Sequence, residues 1–241
     1  MLLRFTEDPN ADYFTFFQPK KNSVIFDVGA TKGDFANRVL QFEPSLCLSI
    51  EASPVNHAQL ADELDALNSC LGKEVFFPVL CALTANIDDK YLLCETGGAW
   101  DNMTCPFVCA SSAAEDNGPN RTLAISLLAL CAKHGVDSID FFKIDIEGGE
   151  FDIFQNEASF ALIAQKVSSI AVEFHLHFLR DIMKMTPQDA AQVLINIIEK
   201  FENAGFDTLL SFGRDYAGIR HTNAGIFINT CCIDFWAIKR S

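Results

Sequence analysis

Ser23-Val24-Ile25-Phe26-Asp27-Val28-Gly29-Ala30-Thr31-Lys32-Gly33-Asp34 reads as a buried strand that turns through two glycines into a helix carrying Phe35, Val39 and Leu40. Glycine at such a turn lets the backbone approach a ligand closely. Leu46-Cys47-Leu48-Ser49-Ile50 follows as a second apolar strand and ends in Glu51. In a βαβ unit an acid at that point takes two ribose hydroxyls. Strand, glycine turn, helix, strand and acid together predict a nucleoside site. The glycines are spaced Gly-x-x-x-Gly and lack the Gly-x-Gly-x-x-Gly of dinucleotide sites, so the ligand need not carry a pyrophosphate.

Further along, Asp140-Phe141-Phe142-Lys143-Ile144-Asp145-Ile146-Glu147-Gly148-Gly149-Glu150 places the ionisable Lys143, Asp145, Glu147 and Glu150 on an apolar strand and the turn after it. Side chains alternate on a strand, so Phe142, Ile144 and Ile146 face one helix layer while Lys143, Asp145 and Glu147 share the other side. A structural reading stands beside the functional one. Lys143 and Asp145 can neutralise each other, and Glu150 can open a helix whose N-terminus favours acids.

Asp27-Val28-Gly29-Ala30-Thr31-Lys32-Gly33, then Ile50-Glu51-Ala52-Ser53-Pro54, then Ile139 to Glu150, then Val172-Glu173-Phe174-His175 resemble, in order and spacing, the FkbM-type methyltransferases. The resemblance runs from about Val24 to about His175, and Lys143-Ile144-Asp145-Ile146-Glu147-Gly148 is its most specific part. Two departures are visible. The family usually has Asn where Thr31 stands, and a Thr-Leu-Asp triplet where this chain has Ser126-Leu127-Leu128, so one family carboxylate is missing. The resemblance implies a doubly wound, Rossmann-like class I methyltransferase fold. Its sheet would be seven-stranded and mostly parallel, in the order 3-2-1-4-5-7-6, with the last strand antiparallel. It also implies S-adenosylmethionine as methyl donor, held by Asp27, Gly29, Ala30, Thr31, Gly33, Glu51, Ala52 and Ser53, and a hydroxyl acceptor.

Composition agrees. A chain of 241 residues with 49% hydrophobic content and 22 phenylalanines can bury one large core, so a single domain is expected over 1–241, with residues 1–21 as an N-terminal arm or helix on a 22–241 core. Tyr13, Phe14, Phe16 and Phe17 suit that arm to packing. The formal charge of −14 opposes phosphate polymers, so nucleic acid is not an expected partner. No apolar run is long enough for a membrane span, and the first residues lack a leader pattern, so a soluble cytoplasmic protein is expected. Oligomeric state is not legible. Cys47, Cys81 and Cys131 sit in apolar patterns and read as reduced, small hydrophobes.

Elsewhere, Pro54 opens a helix with Leu60, Leu64 and Leu67, and Val75 to Leu80 forms a strand whose Pro78 suits a sheet edge. Lys90 to Cys109 holds two short strand-like pieces. Ser126 to His134 reads as a helix ended by Gly135, and Thr186-Pro187-Gln188-Asp189 as a capped helix start. Two strands close the chain, around Phe206 to Phe212 and Ile226 to Ile238.

Asp27, Glu51, Asp145 and His175 all fall at carboxyl ends of strands, where open α/β sheets bind ligands. Asp145 and His175 are the base candidates, with Lys143 holding the carboxylate or lowering the acceptor's proton affinity. Glu147 is assigned to the acceptor. So are Arg214, Tyr216 and Arg220 in the glycine-bearing loop Gly213 to Gly225, a length typical of lids and binding loops. Glu173, His175 and His177 alternate on one strand and with Asp145 form a possible metal set, but no metal site is assigned. A nicotinamide-linked oxidoreductase on the same scaffold and a catalytically silent nucleoside-binding protein are the alternatives to a methyltransferase.

Overall fold

The structure, a computed structural model, describes residues 4–6, 8, 11–85, 91–93, 95–96, 104–105, 121–212 and 232–240. In chain order, β1 (Val24–Val28), α1 (Asp34–Val39), β2 (Leu46–Glu51), α2 (Pro54–Leu71) and β3 (Phe76–Leu80) form the first half. Short strands follow: β4 (Ala82–Leu83), β5 (Tyr91–Leu93), β6 (Glu95–Thr96), β7 (Thr104–Cys105) and β8 (Arg121–Ile125). The second half holds α3 (Leu127–His134), β9 (Ile139–Ile144), α4 (Gly149–Gln155), α5 (Glu157–Lys166), β10 (Val167–His175), α6 (Pro187–Asn203), β11 (Phe206–Phe212) and β12 (Cys232–Lys239).

Seven strands make the central sheet in the order β3-β2-β1-β9-β10-β12-β11. All neighbours are parallel except β12, which is antiparallel to β10 and β11. That is the 3-2-1-4-5-7-6 topology with its last strand reversed. Strand order switches at β1, which pairs with β2 on one side and β9 on the other, and this opens the crevice where such sheets take ligands. Pro78 lies on β3 at the edge, where a missing N–H costs no ladder bond.

Period-two alternation sorts the strands onto two faces. Phe26, Val28, Leu48, Ile50, Phe142, Ile144, Val172 and Phe174 turn to the core covered by α3, α4, α5 and α6. Ile25, Cys47, Phe141, Ala171 and Trp236 turn to the other, covered by α1, α2 and the N-terminal arm. The odd positions that follow on this second face are polar: Asp27, Ser49, Glu51, Lys143, Glu173 and His175. Several helix starts are chemically marked. Ser53, Ser126 and Thr186 accept the N–H of Asn56, Ala129 and Asp189, and a cap of this kind contributes about 1 kcal/mol. Leu128, where the family has an acid, is exposed in the first turn of α3.

The described residues of the arm form no helix. The arm is held by packing, with the Phe14 ring 5.3 Å from Phe35 and 5.7 Å from Phe141, and Phe17 6.0 Å from Phe141. An Arg38 to Asp12 ion pair ties it to α1, and hydrogen bonds between Thr6 and Leu210 and between Leu210 and Arg4 tie its start to β11. Among the described residues the 90–109 segment holds three short strands where two were expected, with β6 antiparallel to β7 and β5 joined to β8. Cys47, Cys81 and Cys131 are buried free thiols. Among the described residues no helix is long and apolar enough to cross a membrane.

Candidate active site

The glycine turn after β1 is built by crossing backbones. Gly29 adopts φ +79°, and a Cβ there would stand 1.8 Å from the carbonyl oxygen of Asp145. Gly29 therefore lets the turn after β1 approach the turn after β9 closely. Asp145 N–H donates to Val28 O at 3.0 Å and seals the crossing, while the N–H groups of Gly29 and Ala30 donate to Ile50 O. Gly33, at φ +100°, faces Leu60 and Glu63 of α2. Thr31 lies between them at φ 48°, a left-handed conformation that β-branched residues resist.

Glu51 is fixed by this turn. Thr31 N–H donates to Oε2 at 2.8 Å and Ser53 N–H to Oε1 at 2.7 Å. Burial pushes the Glu51 carboxyl upward, and these two bonds pull it back only partly. Ser53 has a second task, since its hydroxyl caps α2. Ala52 stands half-buried between them.

Lys143 sits opposite Asp27 in the β1 to β9 register, and its Nζ lies 3.0 Å from Asp27 Oδ1 but 3.9 Å from Asp145 Oδ2. The sequence reading paired it with Asp145. Strand pairing, invisible along the chain, gives it to Asp27 instead. The ammonium also donates to Gly29 O at 2.8 Å, so it clamps the glycine turn and is too buried to meet an acceptor. Burial alone would lower its proton affinity, but Asp27 and Asp145 outweigh that and raise it. Asp27 is itself raised by complete burial, against the pull of Lys143. Its Oδ2 has no hydrogen-bond donor among the described residues.

At the ends of β9 and β10 a second constellation gathers around His175. Its Nε2 is 3.3 Å from Glu147 Oε2, 3.7 Å from Asp145 Oδ1 and 3.9 Å from Glu173 Oε1. Its Nδ1 is 3.0 Å from Glu150 Oε1. Fully buried Glu150 also accepts the N–H groups of His175 and Gly148, so it is locked in place. Burial disfavours the imidazolium, but Glu150 above all reverses this, and His175 is pushed up to about 10. Burial pushes Glu147 up to about 7, and burial together with Asp145 raises Glu173.

Two residues of this half escaped the sequence. Tyr13, on the arm, donates its hydroxyl to Asp145 Oδ2 at 2.8 Å and lays its ring 5.3 Å from Lys143 Nζ. Burial first, then Asp145, raises its proton affinity well above the usual phenol range. Glu150 read as a helix-start acid, and the signal for more was its place one helical turn after Glu147. His177, grouped with the possible metal ligands, instead stacks edge-on to His175, with ring centres 5.6 Å apart. The ligand-distance groups formed by the described residues are Asp145, Glu147 and His175, and Glu173, His175 and Cys232. Arg214, Tyr216 and Arg220, assigned to the acceptor, lie outside the described residues.

A family model for the methyltransferase FkbM domain matches residues 27–207, from the first strand-end acid to β11. The chain belongs to the FkbM methyltransferase family. A solved FkbM methyltransferase from Methylobacillus flagellatus KT is similar at 15% identity with a TM-score of 0.52, over 92% of this chain and 46% of that one. This chain thus spans less than half of that relative. The Methanococcus jannaschii fibrillarin, a pre-rRNA processing protein, is similar at 14% identity and a TM-score of 0.45, over 91% of this chain and 67% of that one. An O-methyltransferase from Bacillus cereus in complex with SAH is similar at 11% identity and a TM-score of 0.43, covering 90% and 74%. At 15% identity the likeness to the Methylobacillus flagellatus KT protein is one of fold. No curated protein matches the sequence significantly.

Proposed function

We propose that this chain transfers a methyl group from S-adenosylmethionine to a hydroxyl oxygen on a small molecule or glycan. The observation that carries the reading is Glu51, a carboxylate fixed by two backbone N–H groups at the end of β2, beside the Asp27 to Gly33 turn and across the switch point from Asp145. Family membership supplies the reaction class.

The residues fit such a donor. A carboxylate offers about four acceptor positions, so Glu51 retains lone pairs for two ribose hydroxyls after receiving Thr31 and Ser53. Asp27, Gly29, Ala30, Thr31, Gly33, Ala52 and Ser53 frame that acid. When bound, the sulfonium supplies an electrophilic methyl carbon for in-line displacement by the acceptor oxygen. Placing the oxygen in line is the larger task, since good orientation is worth about 7 to 11 kcal/mol against a hundred- to ten-thousand-fold for a base.

Asp145 is the residue assigned to take the hydroxyl proton. Tyr13 fixes its carboxylate by a hydrogen bond, with the Lys143 ammonium 3.9 Å away, and its side chain is 26% exposed while that of His175 is 3% exposed. His175, held protonated by Glu150, favours negative charge beside it. Glu147 and the Arg214, Tyr216 and Arg220 loop are assigned to the acceptor. The net charge of −14 favours an uncharged hydroxyl compound over a polyphosphate.

Calorimetry tests the donor assignment. S-adenosylmethionine should bind with one site per chain, and Glu51→Ala should weaken it by about 1 to 3 kcal/mol, the scale of charged hydrogen bonds. Tight binding of a nicotinamide dinucleotide, with no binding of S-adenosylmethionine, would overturn the reading.

A further inference from the structure

The constellation around His175, whose residues the proposed function uses one by one, also has the geometry of a metal centre. We propose that Asp145, Glu147 and His175 bind one divalent first-row transition ion, with Glu150 as the residue that orients the histidine.

The ligand atoms of these three residues all lie within 4.8 Å of one another. First-row ions hold nitrogen and oxygen at about 2.0 to 2.2 Å, so atoms sharing an ion stand roughly 3.0 to 3.5 Å apart. The 3.3 Å between His175 Nε2 and Glu147 Oε2 already meets this, and the 3.7 Å to Asp145 Oδ1 needs only a few tenths of an ångström of carboxylate rotation. Neither carboxylate is sealed in the core, with side chains 26% and 20% exposed, so an ion has a path in.

Independent of the acids is how His175 is mounted. A histidine that ligates through one nitrogen characteristically gives the other N–H to a carboxylate or carbonyl, which sets tautomer and ring direction. Glu150 does this from a fully buried position, with Oε1 3.0 Å from Nδ1 and both oxygens pinned by backbone N–H groups. Nε2 is thereby aimed at Asp145, Glu147 and Glu173. An ion bound there takes the place of the Nε2 proton.

Charge points the same way. Five carboxyl groups, Asp27, Asp145, Glu147, Glu150 and Glu173, converge on two cationic side chains, Lys143 and His175. Removing such an excess from water is costly unless it is offset. A divalent ion that replaces the Nε2 proton adds one net positive charge at the centre of this cluster. One imidazole with two carboxylates suits Mn2+ or Zn2+ better than Ca2+, which prefers six to eight oxygens. An ion here would stand beside the acceptor hydroxyl and lower its proton affinity.

The metal alone tests this, with no donor or acceptor needed, so failure here is separable from failure of the methyltransferase reading. Chelator-treated protein titrated with MnCl2 and with ZnCl2 should bind one ion per chain and unfold at a higher temperature when loaded. Glu147→Gln and Asp145→Asn should each weaken binding about tenfold or more. Glu150→Gln should weaken it about 10- to 100-fold, the range seen when a residue orienting a ligand is lost. Cys232→Ser should leave binding unchanged. Glu147 is partly exposed and its variant is expected to fold, which thermal unfolding of the metal-free protein verifies. Absence of binding overturns the proposal. So do equal affinities for wild type and Glu147→Gln, the mark of loose association with an acidic surface. Loss of Zn2+ binding in Cys232→Ser alone would move the ion to Glu173, His175 and Cys232 and refute the assignment.

Discussion

Two halves of one rim meet at the β1 to β9 crossing, and they hold their charges in opposite ways. On the Glu51 side, backbone groups bind the acid and a cross-strand ammonium neutralises Asp27. On the His175 side, side chains face side chains, and Asp145, Glu147, Glu150 and Glu173 crowd one imidazole. The first arrangement is held mainly by backbone and one ammonium and suits a rigid binding surface. The second leaves acids facing each other, which with burial raises the proton affinities of Glu147 and Glu173 and suits a place where a proton or an ion is handled.

Breaking the self-contained half should have the largest effect. Lys143→Met removes the only cation facing Asp27 among the described residues while keeping bulk, and leaves a fully buried carboxylate uncompensated. Losing one partner of a buried pair costs about 3 to 5 kcal/mol. Urea unfolding should show that loss, and Lys143→Met combined with Asp27→Asn should recover part of it. A loss under about 1 kcal/mol in the single variant would mean that Asp27 is neutral or rehydrated, and that the two halves differ less than the distances indicate.

The crowded half should show itself in pH dependence. Glu147, raised to about 7, and His175, raised to about 10, both bind protons more tightly folded than unfolded. The contribution of Glu147 is complete below its unfolded value of about 4.3 and is lost as pH rises through about 7. That of His175 is complete below about 6.5 and is lost as pH rises through about 10. Asp27, Glu51 and Glu173 act in the same direction as Glu147. Metal-free protein should therefore lose thermal stability steadily from about pH 5 to 10, and Glu147→Gln should flatten the lower part and weaken the upper, since the Glu147 carboxylate also helps to raise His175. A midpoint that climbs across this range would show that the acids are not held protonated by the fold.

The contrast between the halves also explains what the sequence discloses. The fold and the Glu51 half are written locally: apolar runs of strand length, glycines at the turn, caps at Ser53, Ser126 and Thr186, and an acid one βα unit after the first strand. The seven-strand order came from family likeness, and the structure has it. What local reading missed depends on register and distance. Lys143 pairs with Asp27 because β1 and β9 align those two residues, 116 positions apart in the chain. Tyr13 reaches Asp145 across 132 positions because Phe14 and Phe17 anchor the arm on Phe141. Glu150 became the partner of His175 only once α4 packed against the end of β10.

The smallest effect concerns a single backbone angle on the Glu51 side. Thr31 must be left-handed, at φ 48°, for its N–H to reach Glu51 Oε2, yet a left-handed conformation costs an ordinary L-residue about 1 to 2 kcal/mol. Asn tolerates it better, because its short polar side chain bonds locally, and the family usually places Asn there. Thr31→Asn should accordingly stabilise the protein by about 1 kcal/mol, read as a higher urea midpoint at unchanged slope. Donor affinity should hold or improve, since the N–H that fixes Glu51 is kept. A destabilised variant would mean that the Thr31 methyl or hydroxyl makes a contact worth more than the strain, and would turn this departure from the family into a feature of the site.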